Sequence, residues 1–368
     1  MHCQQKCPNE DGRDCFVRYV NTKVIKRMEN FRIRNSTIGN PRLFLLPLSF
    51  GVSSVALLHL LDSQLQGQID RMNRTGYGLL VVHVNMPSTA PTGIYMKRLQ
   101  QRYPRHTHFH VDLAELFDYP NGILESSGKS GLSQALGAPD GQVSNQDKLD
   151  HLLDSLPSAT SRADMLGILR TRLLVEIAKK RGCEGIMWGD STTRLAEKTL
   201  AETAKGRGFS LPWQISDGAS PHSLVFRYPL RDLLKKELVT YASLTTPPLD
   251  PIIIPEQTPQ ALTSKNTTID DLVTNYFQSV EESFPSIVAN VVRTSGKLSA
   301  HQPFGGGERC TICEMPITAG SGGLHGWGGD QGKLGPSSSD PHPVEKLCYG
   351  CARSTLGATF SARTASQG

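Results

Sequence analysis

The stretch "RLFLLPLSFGVSSVALLHLL", Arg42 to Leu61, holds an apolar run, a break of small residues and a second apolar run with different spacing. Leu43 to Leu46 follow one another directly, Ser49, Gly51, Ser53 and Ser54 interrupt, and Val55, Leu57, Leu58 and Leu61 resume at helical intervals. That order predicts a buried strand, a tight loop and a helix. Such a joint aims backbone N–H groups and the positive helix end at one spot, where an anion can sit. The dinucleotide pattern G-x-G-x-x-G is absent because only Gly51 is present, no Lys follows as a Walker loop requires, and the hydrolase elbow fails at Val55. An ordinary strand-to-helix turn capped by a serine stays open on this segment.

The remaining chain narrows the choice. With 368 residues, 38% hydrophobic and 20% charged, it suits a soluble globular protein of two or more folding units. No apolar run is long enough to span a bilayer and the N-terminus lacks the apolar core of a signal peptide, so a cytoplasmic location without membrane partners is expected. The net charge of +5 is concentrated between Arg18 and Arg42, where seven cations face one acid, Glu29. Phe16, Val20, Val24, Met28 and Phe31 recur there at helical spacing, which puts Lys23, Lys26 and Arg27 on the outer face of an amphipathic helix. Contact with RNA phosphates and a merely solvated face both fit.

The eight cysteines cluster at the ends: Cys3, Cys7 and Cys15 at one, Cys310, Cys313, Cys348 and Cys351 at the other, with Cys183 between. Clusters in a chain without an export signal argue for metal rather than disulfides. Two C-x2-C knuckles can give four thiolates to one tetrahedral zinc, and Gly350 suits a tight knuckle turn. The N-terminal trio lacks a fourth ligand, so a second zinc site and three unconnected thiols remain open. Cys183 reads as a buried structural thiol, and His106, His108 and His110, which alternate along one strand, as a solvated or edge face.

Apolar runs alternating with helical spacing predict a parallel α/β sheet with helices on both faces over 42–249, interrupted by a surface insertion at about 120–145. The basic helix and N-terminal cysteines occupy 1–41, and a helical segment with the knuckle pair 250–368. Ligands of such sheets bind at the strand C-termini. A second binding edge is expected there in "GDSTTRLAEKTLAETAKGRGFSLPW", Gly189 to Trp213, with Asp190 at its tip. Arg194, Lys198, Lys205 and Arg207 make it basic, while Phe209 and Trp213 could stack on RNA bases or pack in the core.

Together, the N-terminal cysteines, "LSFGVSS", the Gly189–Trp213 stretch, "FRYPLRDLLKKEL", "CTICE" and "CYGC" resemble the cytoplasmic tRNA 2-thiolation protein 2 family, relatives of the PP-loop ATP pyrophosphatases. The resemblance implies a role in thiolating the wobble uridine of tRNA. The partners it implies are tRNA, a catalytic PP-loop paralogue in a heterodimer, and a thiocarboxylated ubiquitin-like sulfur carrier. It also implies lost catalysis. Against the active pattern S-G-G-x-D-S, Phe50 replaces a glycine at the closest approach of phosphate, and Ser53 replaces the magnesium-associated carboxylate. Thr193 and Arg194 stand at the two acidic positions of a later motif that Gly189, Ala196 and Glu197 still match. Ala163 and Leu166 stand where thiolating relatives carry C-x-x-C. No catalytic residue is therefore expected, ATP is not expected to be turned over, and an adenylating enzyme with an atypical loop is the alternative.

Overall fold

The structure, a computed structural model, describes residues 12–31, 42–87, 92–119, 143–255, 267–299, 309–317 and 347–355. Most of the expected insertion lies outside them, as do Cys3 and Cys7.

The opening stretch folds as its pattern requires. Strand β1 (Arg42–Pro47) leads through residues 48–51 into helix α2 (Val52–Met72), and a helix α1 (Gly12–Arg27) precedes both. The chain continues through β2 (Tyr77–Asn85), α3 (Gly93–Arg102), β3 (Thr107–Asp112), α4 (Asn145–Ser155), α5 (Ala159–Lys180), β4 (Gly185–Met187), α6 (Thr192–Ala204), β5 (Gly218–Ala219) and β6 (Val225–Arg227). Helices α7 (Lys235–Leu244), α8 (Ile269–Ser283), α9 (Pro285–Ser295) and α10 (Tyr349–Thr355) complete it. The strands form one sheet in the order β3-β2-β1-β4-β6-β5, with Leu45 of β1 paired to Leu80 on one side and Ile186 on the other.

Five strands are parallel, as expected, and β5 is an antiparallel edge. The connection to β6 is too short for a crossover: Ser220 N–H donates to Leu224 O at 2.8 Å, closing a hairpin. Helix α4 was not anticipated. Its signal is the capping box of Ser144 and Asp147, which satisfies first-turn amides. Helix α5 starts at Ala159 because Ser158 caps it by accepting from the Ser161 amide.

Side-chain alternation builds two apolar layers. Phe44, Leu46, Leu79 and Val81 face α1, α2, α3 and α7, whereas Leu45, Leu80, Val82 and Ile186 face α4, α5 and α6, with α8, α9 and the C-terminal cysteines continuing that layer. Val20, Val24, Met28 and Phe31 are fully buried in the first layer, which is why their helical spacing was visible in sequence.

Candidate functional site

The loop after β1 keeps a phosphate-loop shape. Phe50 takes a left-handed backbone (φ 59°), a conformation that costs a side-chain-bearing residue about 1–2 kcal/mol and that glycine adopts freely. Its ring, however, does not crowd the mouth of the loop as expected. It is fully buried beneath it, 4.8 Å from the His83 ring and 6.1 Å from that of Tyr95, and its carbonyl accepts from the Ile254 amide at 2.9 Å. Apolar burial thus carries Phe50 away from any ligand. The serines brace the turn: Ser54 Oγ donates to Gly51 O at 3.0 Å and lies 3.1 Å from Ser49 Oγ, while the Gly51 amide donates to Ser49 Oγ at 3.3 Å. Gly51 caps α2 with no side chain, so the first amides of the helix gain no acceptor from their cap.

The second motif closes against the first. A Cβ on Gly189 would lie 3.0 Å from Ser54 Cα, so glycine lets the chain leaving β4 pack tightly on the start of α2. Ser191 then caps α6 by accepting from the Arg194 amide at 3.2 Å. Arg194 bonds Glu197 at 2.9 Å, and Lys198 lies 3.8 Å from Asp190. Thr193 is buried and donates to Glu281 of α8.

Between the motifs lies a cavity of about 790 Å³, lined among others by Ser49, Gly51, Ser53, Ser54, Gly189, Asp190 and Arg194. A second, of about 440 Å³, takes in Ala163, Leu166 and Lys198. Both share Arg170 and Trp188, which sequence reasoning missed. Arg170 had a signal: it lies beside the buried stripe Leu169, Leu173, Leu174, where a cation needs a reason.

The residues expected to meet RNA separate into two kinds. Arg207 is almost wholly buried, bonded to Asp164 and to Glu202 at 2.7 Å, and Lys205 pairs with Glu202 and Asp270, each at 3.1 Å. These two are correctly read as an internal ion-pair network, because burial and satisfied carboxylates leave no charge for a surface ligand. Trp213 is likewise a core residue, and Phe209 is exposed. Lys26 is exposed on α1, whereas Lys23 donates to Asp232 O at 2.7 Å and Arg27 pairs with the Asp232 carboxylate at 2.7 Å, tying α1 to the turn before α7.

The four C-terminal cysteines do converge. Their sulfurs all lie within 4.8 Å of one another, Cys313 and Cys348 at 3.7 Å. Four thiolates about 2.3 Å from one ion stand about 3.8 Å apart, so the group fits a single tetrahedral metal ion. Hydrogen bonds from Cys313, Cys348 and Cys351 drive the Cys310 thiol down, while the same contacts and burial push Cys313 and Cys351 up, so four thiolates need a cation among them. Gly350 is needed for packing rather than for a turn: a Cβ there would meet Lys205 O at 2.9 Å. Cys15 is disulfide-bonded, which fits neither the second zinc site nor the three unconnected thiols left open at the N-terminus. Cys183 is buried, and burial pushes its thiol up to about 11. His106, expected on a solvated face, is buried with Nε2 3.0 Å from Asp62.

A parallel sheet whose first strand enters its helix through a serine-rich loop, with the next motif closing on it, places the protein in the PP-loop-like α/β class. The fold is similar to that of the U34-tRNA thiolase NcsA from Methanococcus maripaludis, solved with its 4Fe–4S cluster: TM-score 0.55 at 14% identity, covering 85% of this chain and 91% of that one. A model of the family "Cytoplasmic tRNA 2-thiolation protein 2" matches residues 268–327. Proteins of that name from Phaeosphaeria nodorum and Pyrenophora tritici-repentis are 50% and 46% identical, covering 93% and 95% of this chain and 88% and 90% of theirs. The chain belongs to the cytoplasmic tRNA 2-thiolation protein 2 family. No helix among the described residues is long and apolar enough to cross a membrane.

Proposed function

We propose that this protein is a non-catalytic, tRNA-contacting subunit of the cytoplasmic machinery that 2-thiolates the wobble uridine. It pairs with a catalytic PP-loop paralogue, which takes sulfur from a thiocarboxylated ubiquitin-like carrier. The observation that carries this reading is what the motif positions hold: the second motif closes on the first at Gly189, yet Ser53 and Arg194 line the cavity without a carboxylate, Thr193 is buried against Glu281, and Ala163 and Leu166 bring no thiol. Motif positions that supply neither a carboxylate nor a thiol suit a subunit that holds rather than converts. The cysteine group would hold zinc as a structural ion. Asp190 and Asp271 also line the cavity and favour the alternative of an atypical adenylating enzyme.

RNA contact is assigned to α1, with Lys26 outermost. Lys26→Glu should weaken tRNA binding by the complex and lower the slope of log affinity against log salt by about one for each phosphate that is no longer neutralised. A slope and affinity equal to wild type would remove α1 from the RNA face. Copurification of the paralogue with this chain tests the heterodimer; two proteins that elute separately would contradict it.

A further inference from the structure

From Arg71 to Val111 the chain holds six cations and no Asp or Glu, and four of the six, Lys97, Arg98, Arg102 and Arg105, fall in α3 or just after it. What each of the four meets decides whether its charge is spent. Arg105 is engaged, its Nε 3.0 Å from the Asp62 carboxylate of α2. The other three form no ion pair with a carboxylate among the described residues. Arg98 donates to Pro251 O at 2.9 Å, and Arg102 to Pro248 O at 2.6 Å and Pro247 O at 2.5 Å, all in the turn after α7. Asp250 is exposed in that turn and pairs with neither. Carbonyl oxygens fix a guanidinium fork in place without neutralising it. The charge of Arg102 is felt inside the protein, where it is the next cause after burial that holds the His59 imidazole down at about 4.

Burial of Met96 and Leu99 turns Ile94, Lys97, Arg98 and Gln101 outward at helical spacing, with Arg102 half-buried at their flank. Ile94, 56% exposed, is the lone large apolar side chain of that stripe. A protein partner would favour an apolar, aromatic centre poor in lysine, whereas a phosphate backbone is met by Lys and Arg on a polar face. The stripe also stands beside the loop after β1: the Tyr95 ring of α3 is 6.1 Å from that of Phe50, and the turn that holds Arg98 leads to Ile254, whose amide bonds Phe50 O. On α1, by contrast, Arg27 is already paired with Asp232.

We infer that the outer face of α3, built from Lys97, Arg98 and Arg102, holds the phosphate backbone of RNA beside the loop after β1. This rests on the tRNA-contacting role proposed above and adds to it a face separate from α1. The contact is to backbone rather than bases, so it positions the RNA and releases counterions without reading sequence.

The test is fluorescence anisotropy of labelled tRNA across a salt series, with the purified full chain alone and together with the paralogue. Lys97→Gln combined with Arg98→Gln should weaken binding by about tenfold at low salt and lower the slope of log affinity against log salt by about two. Should that variant not fold, Lys97→Gln serves, since the Lys97 side chain is exposed and bonds nothing among the described residues; it should lower the slope by about one. Polyglutamate, added at equal charge, should fail to displace the tRNA. An unchanged slope in the folded variants while Lys26→Glu still lowers it would overturn the inference and leave the tRNA-contacting role standing. Displacement of tRNA by polyglutamate, or loss of the paralogue from the variant with the slope unchanged, would make the face a protein contact and overturn the inference too. No tRNA binding by the wild type in either form would remove both the face and the role on which it rests.

Discussion

The hydroxyl of Thr193 donates a hydrogen bond to the carboxylate of Glu281, and both side chains are buried. Thr193 Oγ1 also accepts from the Lys235 amide at 2.9 Å, and Glu281 accepts from the Lys236 amide at 3.0 Å. One residue at an expected acidic position is thus a joint between α6, α7 and α8. Thr193→Asp should set two carboxylates together in a dry site and cost on the order of 3 kcal/mol in denaturant unfolding. Adding Glu281→Gln should restore most of the loss. An unaltered single variant would show that this joint carries no strain against charge.

Phe50 makes a similar point about the loop. Phe50→Gly relieves a left-handed backbone but empties a fully buried ring site, and a cavity of that kind costs roughly 3–5 kcal/mol against a relief of about 1–2. The double variant Phe50→Gly with Ser53→Asp should therefore lose about 2 kcal/mol and gain no tRNA adenylation. Pyrophosphate release by that variant alone would show that the loop was the only catalytic defect.

Removing one thiolate should release the metal. Cys348→Ser leaves three ligands on a group that packs against α5 through Arg172, whose guanidinium reaches Thr311 O, at 3.1 Å, and Glu314. Metal content should fall below one ion per chain, and Tm by about 5–10 °C, with a loss on the order of 3–4 kcal/mol. A wild-type protein without metal would end this expectation.

Acid should loosen the network around Arg207. Burial raises the Glu202 carboxyl, but the charges and hydrogen bonds of Arg207 and Lys205 outweigh it and hold it at about 2, against an ordinary 4.5. A depressed acid stabilises the fold above its unfolded pKa, and that contribution disappears as pH falls from about 4.5 through about 2. Over that window wild type should lose on the order of 3 kcal/mol more than Glu202→Gln does. Parallel acid unfolding curves would deny Glu202 this part.

What was legible in sequence was whatever repeats. Leu43–Leu46 and the helical spacing of Val55, Leu57 and Leu58 marked β1 and α2 because burial on both sheet faces leaves no polar position to interrupt the run. The knuckle pair was legible because metal geometry fixes ligand spacing. Charge was not: Lys205 and Arg207 are polar letters in a polar stretch, and only the fold brings Asp164 and Asp270 to them. The direction of the Phe50 ring was equally hidden, since it depends on His83 and Tyr95 from other elements. Gly350 was noticed for its freedom, although what demands glycine is the approach of Lys205 and Arg207.

Release of pyrophosphate from ATP, dependent on tRNA, tests the central claim most directly. It should be measured with the purified chain alone, the paralogue alone and the two together. A holding subunit gives no release above background by itself and increases release, or tRNA capture, only with the paralogue. Robust tRNA-dependent release by this chain alone would contradict a non-catalytic role and make the cavity at Ser53 and Arg194 an active site of unfamiliar composition.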